Sequence, residues 1–403
     1  SYNNFDMLVI GYGINLRPLA SFAEKVYAGD ECKKFWPHVL DRNIYDEIDD
    51  ALAAKMHKAI AVMQFKIEGQ RIKSHPEYKL EKRLLLDKID LKKGTVVVEG
   101  KEWPLIDTNL PTLDPADPYA LSPEEEEVMN ALEASIVNSE KLQKHIRFLY
   151  SHGAMYSVAN GNLLFHGCIP ITEEGEFAEV ELRGKKFSGK KLLDYLDDQM
   201  RKAYFSPDRS EENGFSGDLM WYLWLGPDSP LFGKEKMTTF ERLFIADKAT
   251  HKEPARPYYK LNNERWLAEK ILREFNLDPS TARILNGHVP VKIKNGESPI
   301  KGGGLIYVID GGISKAYQKD TGIAGYTLIY NSRGMMLAEH KPYKPINPDG
   351  TQEFTSPTMK IVYTLPERKV IMDTDSGRGL VEQVNDLMEL IRAFKEGLIK
   401  EEA

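Results

Sequence analysis

Two histidine turns lie far apart in the chain, Phe165-His166-Gly167-Cys168-Ile169-Pro170 and Asn286-Gly287-His288-Val289-Pro290-Val291. Each follows a short apolar run, and each sets its histidine beside a glycine with a proline close behind. A histidine that leaves a strand into a tight Gly-containing turn presents its imidazole at the mouth of a sheet, where open α/β architectures place their chemistry. Neutral imidazole is a good ligand for Mn, Fe or Zn, and a turn fixed by Gly and Pro limits the entropy lost on coordination. His166 and His288 are therefore the candidate metal ligands. Either one alone would more often be a hydrogen-bonded histidine at a strand end; the shared grammar of the two favours a common metal.

The other chemically equipped residues are less telling. Cys168 adjoins His166, but a histidine next in sequence rarely aligns as a base for its neighbour, so the thiol reads as packing. Lys301 and Lys315 each stand beside a Gly-rich turn, where solvated lysines are common. Trp221, Tyr222 and Trp224 read as a strand in the core rather than a stacking platform. Glu124 to Glu127 follow Ser122-Pro123, which makes them the first turn of a helix with a Ser N-cap and Pro at its first position, not an acidic metal site.

The elements around these residues fall into two styles. Between Ile44 and Arg71 the apolar side chains Leu52, Met56, Ile60, Met63 and Ile67 recur at spacings of four and three, one face of a long amphipathic helix. Thr95-Val96-Val97-Val98 and Trp103-Pro104-Leu105-Ile106 form a β-hairpin. The proline-rich stretch from Asn109 to Pro123 is an irregular connection, and the helix capped by Ser122 runs to about Tyr150. From Gly161 onward strands, turns and helices alternate. Asn162 to Phe165 and Ala282 to Leu285 are short buried strands ending at the two histidines. Lys190 to Tyr204 and Asn263 to Phe275 are helices, and Leu305 to Ile309 with Tyr326 to Tyr330 complete the sheet. A strand over Lys360 to Thr364 precedes a final helix with Val381, Val384, Leu387, Ile391, Phe394 and Leu398 on one face. This is an α/β order. It divides into residues 1–39, a mainly helical insertion over 40–150, a core over 151–345 that carries the histidines, and a C-terminal strand and helix over 346–403.

At 403 residues the chain exceeds ordinary single-domain size, and 42% hydrophobic with 29% charged residues describes a globular protein. A net charge of −7 argues against a nucleic-acid partner, which needs clustered Lys and Arg. The two cysteines, Cys32 and Cys168, suggest no disulfide framework and a reducing compartment. No apolar run of about 18 residues implies a membrane span. Cytoplasmic placement follows, and homo-oligomerisation is left open.

The runs around His166 and His288 resemble the last two ligand blocks of the metallophosphoesterase superfamily. Together with Tyr12-Gly13-Ile14-Asn15-Leu16-Arg17-Pro18, Met220 to Trp224, Leu231-Phe232-Gly233-Lys234, Thr238-Thr239-Phe240-Glu241-Arg242, Gly296 to Lys301 and Val308 to Thr327, they are similar to the class III fructose-1,6-bisphosphatases of bacteria over nearly the whole chain. That resemblance implies an α/β sandwich of which this chain is the C-terminal half. It implies hydrolysis of the 1-phosphate of fructose 1,6-bisphosphate at a dinuclear divalent centre, manganese by expectation, in gluconeogenesis. His166 and His288 would hold one ion. Arg242 resembles the arginine that grips the substrate phosphate, for which a bidentate fork is suited, and Lys315 is a second, weaker phosphate contact. Within the same superfamily, the resemblance also leaves room for a phosphoprotein or dinucleoside-polyphosphate phosphatase.

The superfamily's other ligand blocks, Asp-x-His-Gly, Gly-Asp-x-x-Asp-Arg and Gly-Asn-His-Asp/Glu, are missing from these residues: the Gly-Asp pairs at Gly29-Asp30 and Gly217-Asp218 lack the flanking His or Asp-Arg. The chain opens Ser1-Tyr2-Asn3 rather than with Met, as an internal stretch would. The expected partner is then an N-terminal portion of the same protein, and without it the chain would be an inactive, binding-only piece.

Overall fold

A computed structural model describes residues 4–38, 48–206, 211–310, 312–342, 351 and 355–399, with residues 211–213, 315 and 316 described as backbone only. The chain is mixed α/β and divides into two compact units, Ser1–Ala154 with Tyr195–Arg256 and Met155–Asp194 with Pro257–Ala403. These boundaries differ from those at 39, 150 and 345 because residues 195–256 return to the first unit.

The first unit is built around the helix Asp50–Ser74, which the Asp49 carboxylate caps by accepting from the Ala51 and Leu52 amides at 3.2 and 3.1 Å. Residues 44–47, included in the expected helix, lie outside the described residues. Met56 and Met63 of the expected stripe are fully buried, but so are Ala53, Ala54, Ala59 and Val62 on the other sides. The helix is thus a core helix and not an amphipathic one. Alanines weigh little in a hydrophobic pattern yet let neighbouring elements close in all round. Gly69 shows how close: a Cβ there would stand 1.9 Å from the Tyr119 ring.

Two lysines sit on this helix with no exposed surface. Lys58 Nζ donates to Asp30 and Asp107 at 2.5 and 2.6 Å, and Lys66 Nζ donates to Glu125 Oε2 and the Thr112 carbonyl at 2.6 Å each. Glu125 also closes the expected cap: Ser122 and Glu125 form a capping box on the helix Pro123–Val137. That helix does not run on to Tyr150. It stops at Asn138, and a new helix, Glu140–His152, begins after Ser139, two residues whose side chains compete for backbone hydrogen bonds. Glu125→Gln preserves the cap's shape but leaves the Lys66 ammonium unpaired in the core. It should destabilise the protein by about 3–5 kcal/mol, and adding Lys66→Met should recover most of this; urea denaturation midpoints of the single and double variants check both.

The hairpin forms, but its second strand is Lys101–Pro104 rather than Trp103 to Ile106, paired with Thr95–Val98 across a tighter turn, with Ile89–Asp90 as a third strand. The Trp-rich segment does not: it is a helix, Glu211–Leu225, with Tyr222 buried and Trp224 half exposed. An unbroken apolar run has no period to separate helix from strand, and the β-preference of Trp and Tyr is easily overridden by context.

The second unit carries a five-stranded sheet in the order Tyr156–Ala159, Asn162–Phe165, Ile284–Asn286, Ile306–Val308, Ile300–Lys301. Its three inner strands are parallel and its edges antiparallel. The first hairpin turns at Asn160-Gly161, both with positive φ (49° and 76°), the Asn-Gly pair that such a tight turn favours. The strand Tyr326–Asn331 does not join this sheet. It pairs with Gly334–Glu339, which in turn pairs with Thr358–Thr364, in a separate antiparallel meander. The helices Gly189–Phe205 and Arg265–Glu274 form near their expected limits, as does the last, Asp375–Lys395. Among the described residues no helix is long and apolar enough to cross a membrane.

Candidate metal centre

Register places the site. Leu163 and Leu164 lie level with Ile284 and Leu285, and Ile284 to Asn286 level with Ile306 to Val308. The three inner strands therefore end together, and the chain leaves them as His166, Gly287-His288 and Ile309-Asp310. Carboxyl ends of neighbouring parallel strands are where α/β sheets bind ligands.

The two imidazoles meet there. His166 Nε2 lies 3.0 Å from His288 Nδ1, with ring centroids 4.8 Å apart and planes at 63°. His166 is exposed and His288 half-buried. Backbone and side-chain hydrogen bonds hold the two turns to one another: the Gly287 amide donates to the His166 carbonyl at 2.8 Å, and Asn286 Nδ2 donates to the Gly167 carbonyl at 3.0 Å and to Tyr258 Oη at 2.9 Å. His288 itself has φ of 69°, and across it the Val289 amide donates to the Gly287 carbonyl at 2.9 Å. A three-residue turn of that hand is strained, on the order of 1–3 kcal/mol for a non-glycine residue, and such strain gathers where a side chain must be aimed.

The pair fits a shared cation. Two nitrogens each about 2.1 Å from one ion lie at most about 4.2 Å apart, and 3.0 Å is inside that reach. The donor type suits a first-row divalent metal. The set is small, however: among the described residues no group of three or more His, Cys, Asp or Glu side chains is placed to hold an ion.

Asp310 and Asn286 are the residues that sequence reasoning missed. Asp310 ends the third parallel strand. Its backbone carbonyl accepts from the Val291 amide at 2.9 Å, and its Oδ1 caps the Gly312 amide at 2.9 Å. Its signal was present, since Val308-Ile309-Asp310-Gly311-Gly312 repeats the pattern of an apolar run, a polar residue and glycine. Asn286 is 3% exposed, and its Oδ1 has no hydrogen-bond partner among the described residues.

Cys168 is buried just after the His166 turn, in keeping with the packing role expected of it. Lys301 lies on the edge strand with Nζ 3.5 Å from Asn263 Oδ1. The side chain of Lys315 lies outside the described residues. Arg242 belongs to the first unit, on the short helix Thr239–Phe244. Its Nε donates to Thr238 Oγ1 at 3.1 Å and its Nη2 to the His251 carbonyl at 2.9 Å, with Glu253 Oε1 3.5 Å away and the side chain about half exposed. Burial would raise the Glu253 carboxyl, but hydrogen bonds from Lys234 and Thr238 hold it down at about 2, so Arg242 faces a permanent anion.

The chain matches the model of the Firmicute fructose-1,6-bisphosphatase family over residues 1–396. It is 52% identical over 402 residues to a protein of Clostridium tetani (strain Massachusetts / E88) named fructose-1,6-bisphosphatase class 3, covering 99% of this chain and 60% of that one. A protein of the same name from Clostridium botulinum (strain Kyoto / Type A2) is 51% identical over 404 residues, 100% of this chain and 60% of its own length. The chain thus spans about 60% of the length of these curated relatives. No solved structure matches it.

Proposed function

The chain belongs to the Firmicute fructose-1,6-bisphosphatase family, and from that premise we propose that it is the C-terminal part of a cytoplasmic metallophosphoesterase that hydrolyses the 1-phosphate of fructose 1,6-bisphosphate, a gluconeogenic step. The observation that carries this reading into chemistry is the 3.0 Å approach of His166 Nε2 and His288 Nδ1 at a common strand edge. In this reading the two imidazoles hold a divalent ion, manganese by preference. Such an ion, when bound, supplies a Lewis acid that acidifies water and offsets phosphoryl charge.

The chain's own residues do the positioning. Each histidine offers a neutral nitrogen, and the Gly287-to-His166 backbone bond keeps the two turns from separating. Asn286 braces the turn after His166 through the Gly167 carbonyl. The strained turn aims the His288 ring, so little side-chain freedom is lost on coordination. Two donors do not complete a dinuclear centre; the remaining ligands and a general acid would come, in this proposal, from residues of the longer protein outside these 403. The shortage of ligands is also what favours the second reading, a binding piece without activity of its own.

Arg242 is proposed as a phosphate contact, with Lys315 as a weaker one, from their match to the family pattern. The arginine's Nη1 has no hydrogen-bond partner among the described residues and is the end that would meet a phosphoryl oxygen. Arg242→Ala in the whole protein should lower kcat/KM by ~10² to 10³ with metal content unchanged. Arg242→Lys should recover only part of this, because an ammonium cannot make two parallel hydrogen bonds. Wild-type kinetics in Arg242→Ala would leave the residue with only its contacts to Thr238, His251 and Glu253.

Phosphate release by the whole protein tests the assignment as such. Fructose 1,6-bisphosphate should be turned over in preference to phosphopeptides and dinucleoside polyphosphates. Preference for either of those would move the protein elsewhere in the superfamily.

A further inference from the structure

The last helix, Asp375–Lys395, is anchored by its first turn and little else. Thr374 Oγ1 caps the Gly377 amide at 3.0 Å, the Asp375 amide donates to Asn160 Oδ1 at 3.0 Å, and Gly377 is its one buried residue. Beyond that turn Leu380, Val381, Val384, Leu387, Met388, Leu390, Ile391 and Phe394 stand 38% to 64% exposed, and Leu398 just past the helix end is 74% exposed. A contiguous apolar face of this size exposed on one helix marks an interaction surface.

The spacing says what covers it. Leu380, Val384, Leu387, Ile391, Phe394 and Leu398 follow each other at four, three, four, three and four residues, a 3.5-residue repeat that keeps one seam turned toward a partner helix along its whole length. Val384 and Ile391 alternate with Leu380 and Leu387, the placement of β-branched and leucine residues that selects two parallel strands. The remaining faces carry Arg378, Glu382, Asn385, Asp386, Glu389, Arg392, Lys395 and Glu396. That surface of both signs suits water and is not the basic face that an anionic membrane would attract. The exposed apolar side chains offer on the order of the 800 Å² per partner that a stable interface takes.

We propose that this helix pairs with the same helix of a second copy of the chain, in parallel and in register, so that the protein is a homodimer through its C-terminal segment. The proposal is independent of the phosphatase assignment. Sedimentation velocity of the whole protein at tens of micromolar should give twice the mass of one polypeptide. The double variant Leu387→Asp/Ile391→Asp should sediment as a monomer, its dissociation constant raised at least ~10²-fold, with far-UV circular dichroism and the thermal transition unchanged to show that the body still folds. Leu380→Cys should form an intermolecular disulfide under mild oxidation, because facing seam positions of parallel helices bring their Cβ atoms within bridging distance. The native cysteines, both buried, do not compete. A wild-type monomer overturns the proposal, whether another segment covers the face or the chain instead binds anionic vesicles. So does a dimer that survives the double variant. A dimer in which Leu380→Cys fails to cross-link overturns the parallel register.

Discussion

Replacing His166 or His288 with alanine in the whole protein should remove about one metal ion per chain and lower turnover by at least ~10³-fold, more than the 10- to 100-fold that follows loss of a residue merely supporting a ligand. The 3.0 Å separation of their ring nitrogens makes the two imidazoles a single device, so the double variant should be scarcely worse than either single one. A substitution that only loosened the fold would shift the thermal transition first. These should not, since His166 is exposed and His288 half-buried at a strand edge. Elemental analysis alongside steady-state kinetics checks the pair of effects. Full metal content in both variants would leave the histidines as a hydrogen-bonded pair closing two strands.

The 403-residue chain by itself should hydrolyse fructose 1,6-bisphosphate no faster than background with Mn²⁺ present. The longer polypeptide, or this chain mixed with the remainder of it, should regain activity. The argument is one of donor count: two imidazoles converge, and among the described residues no third His, Cys, Asp or Glu joins them. A two-metal hydrolytic site needs enough protein ligands to hold two ions, which would then stabilise the attacking and leaving oxygens. Asp310 stands at the same strand edge, with its Oδ1 accepting from the Gly312 amide. Robust activity of the isolated chain would mean that Asp310 or another carboxylate turns inward to complete the centre.

The features legible in the sequence were those whose cause is local. Ser122, Pro123 and Glu125 announce a helix start because all the hydrogen bonds of a capping box lie within four residues. The histidine turns were legible as strand ends for the same reason. Their convergence was inferred from shared grammar; the parallel register that produces it joins strands more than a hundred residues apart. What escaped was set by distant partners. Lys58 and Lys66 look like surface positions until Asp30, Asp107 and Glu125 are brought to them. The Asp50–Ser74 helix looked one-sided because alanines hide a face that packs. Met220 to Trp224 reads as a strand by residue type, and only its surroundings make it helical. Asp310 went unmarked because a glycine pair after a strand suggests a turn before it suggests a ligand.

Pulsed electron paramagnetic resonance of Mn²⁺ bound to the whole protein tests the central claim most directly, since it detects the ¹⁴N nuclei of coordinated imidazole. Wild-type protein should show that coupling, and His166→Ala/His288→Ala should lose it while the remaining fold, followed by circular dichroism, is unchanged. An undiminished ¹⁴N coupling in the double variant would contradict the assignment of His166 and His288 as metal ligands.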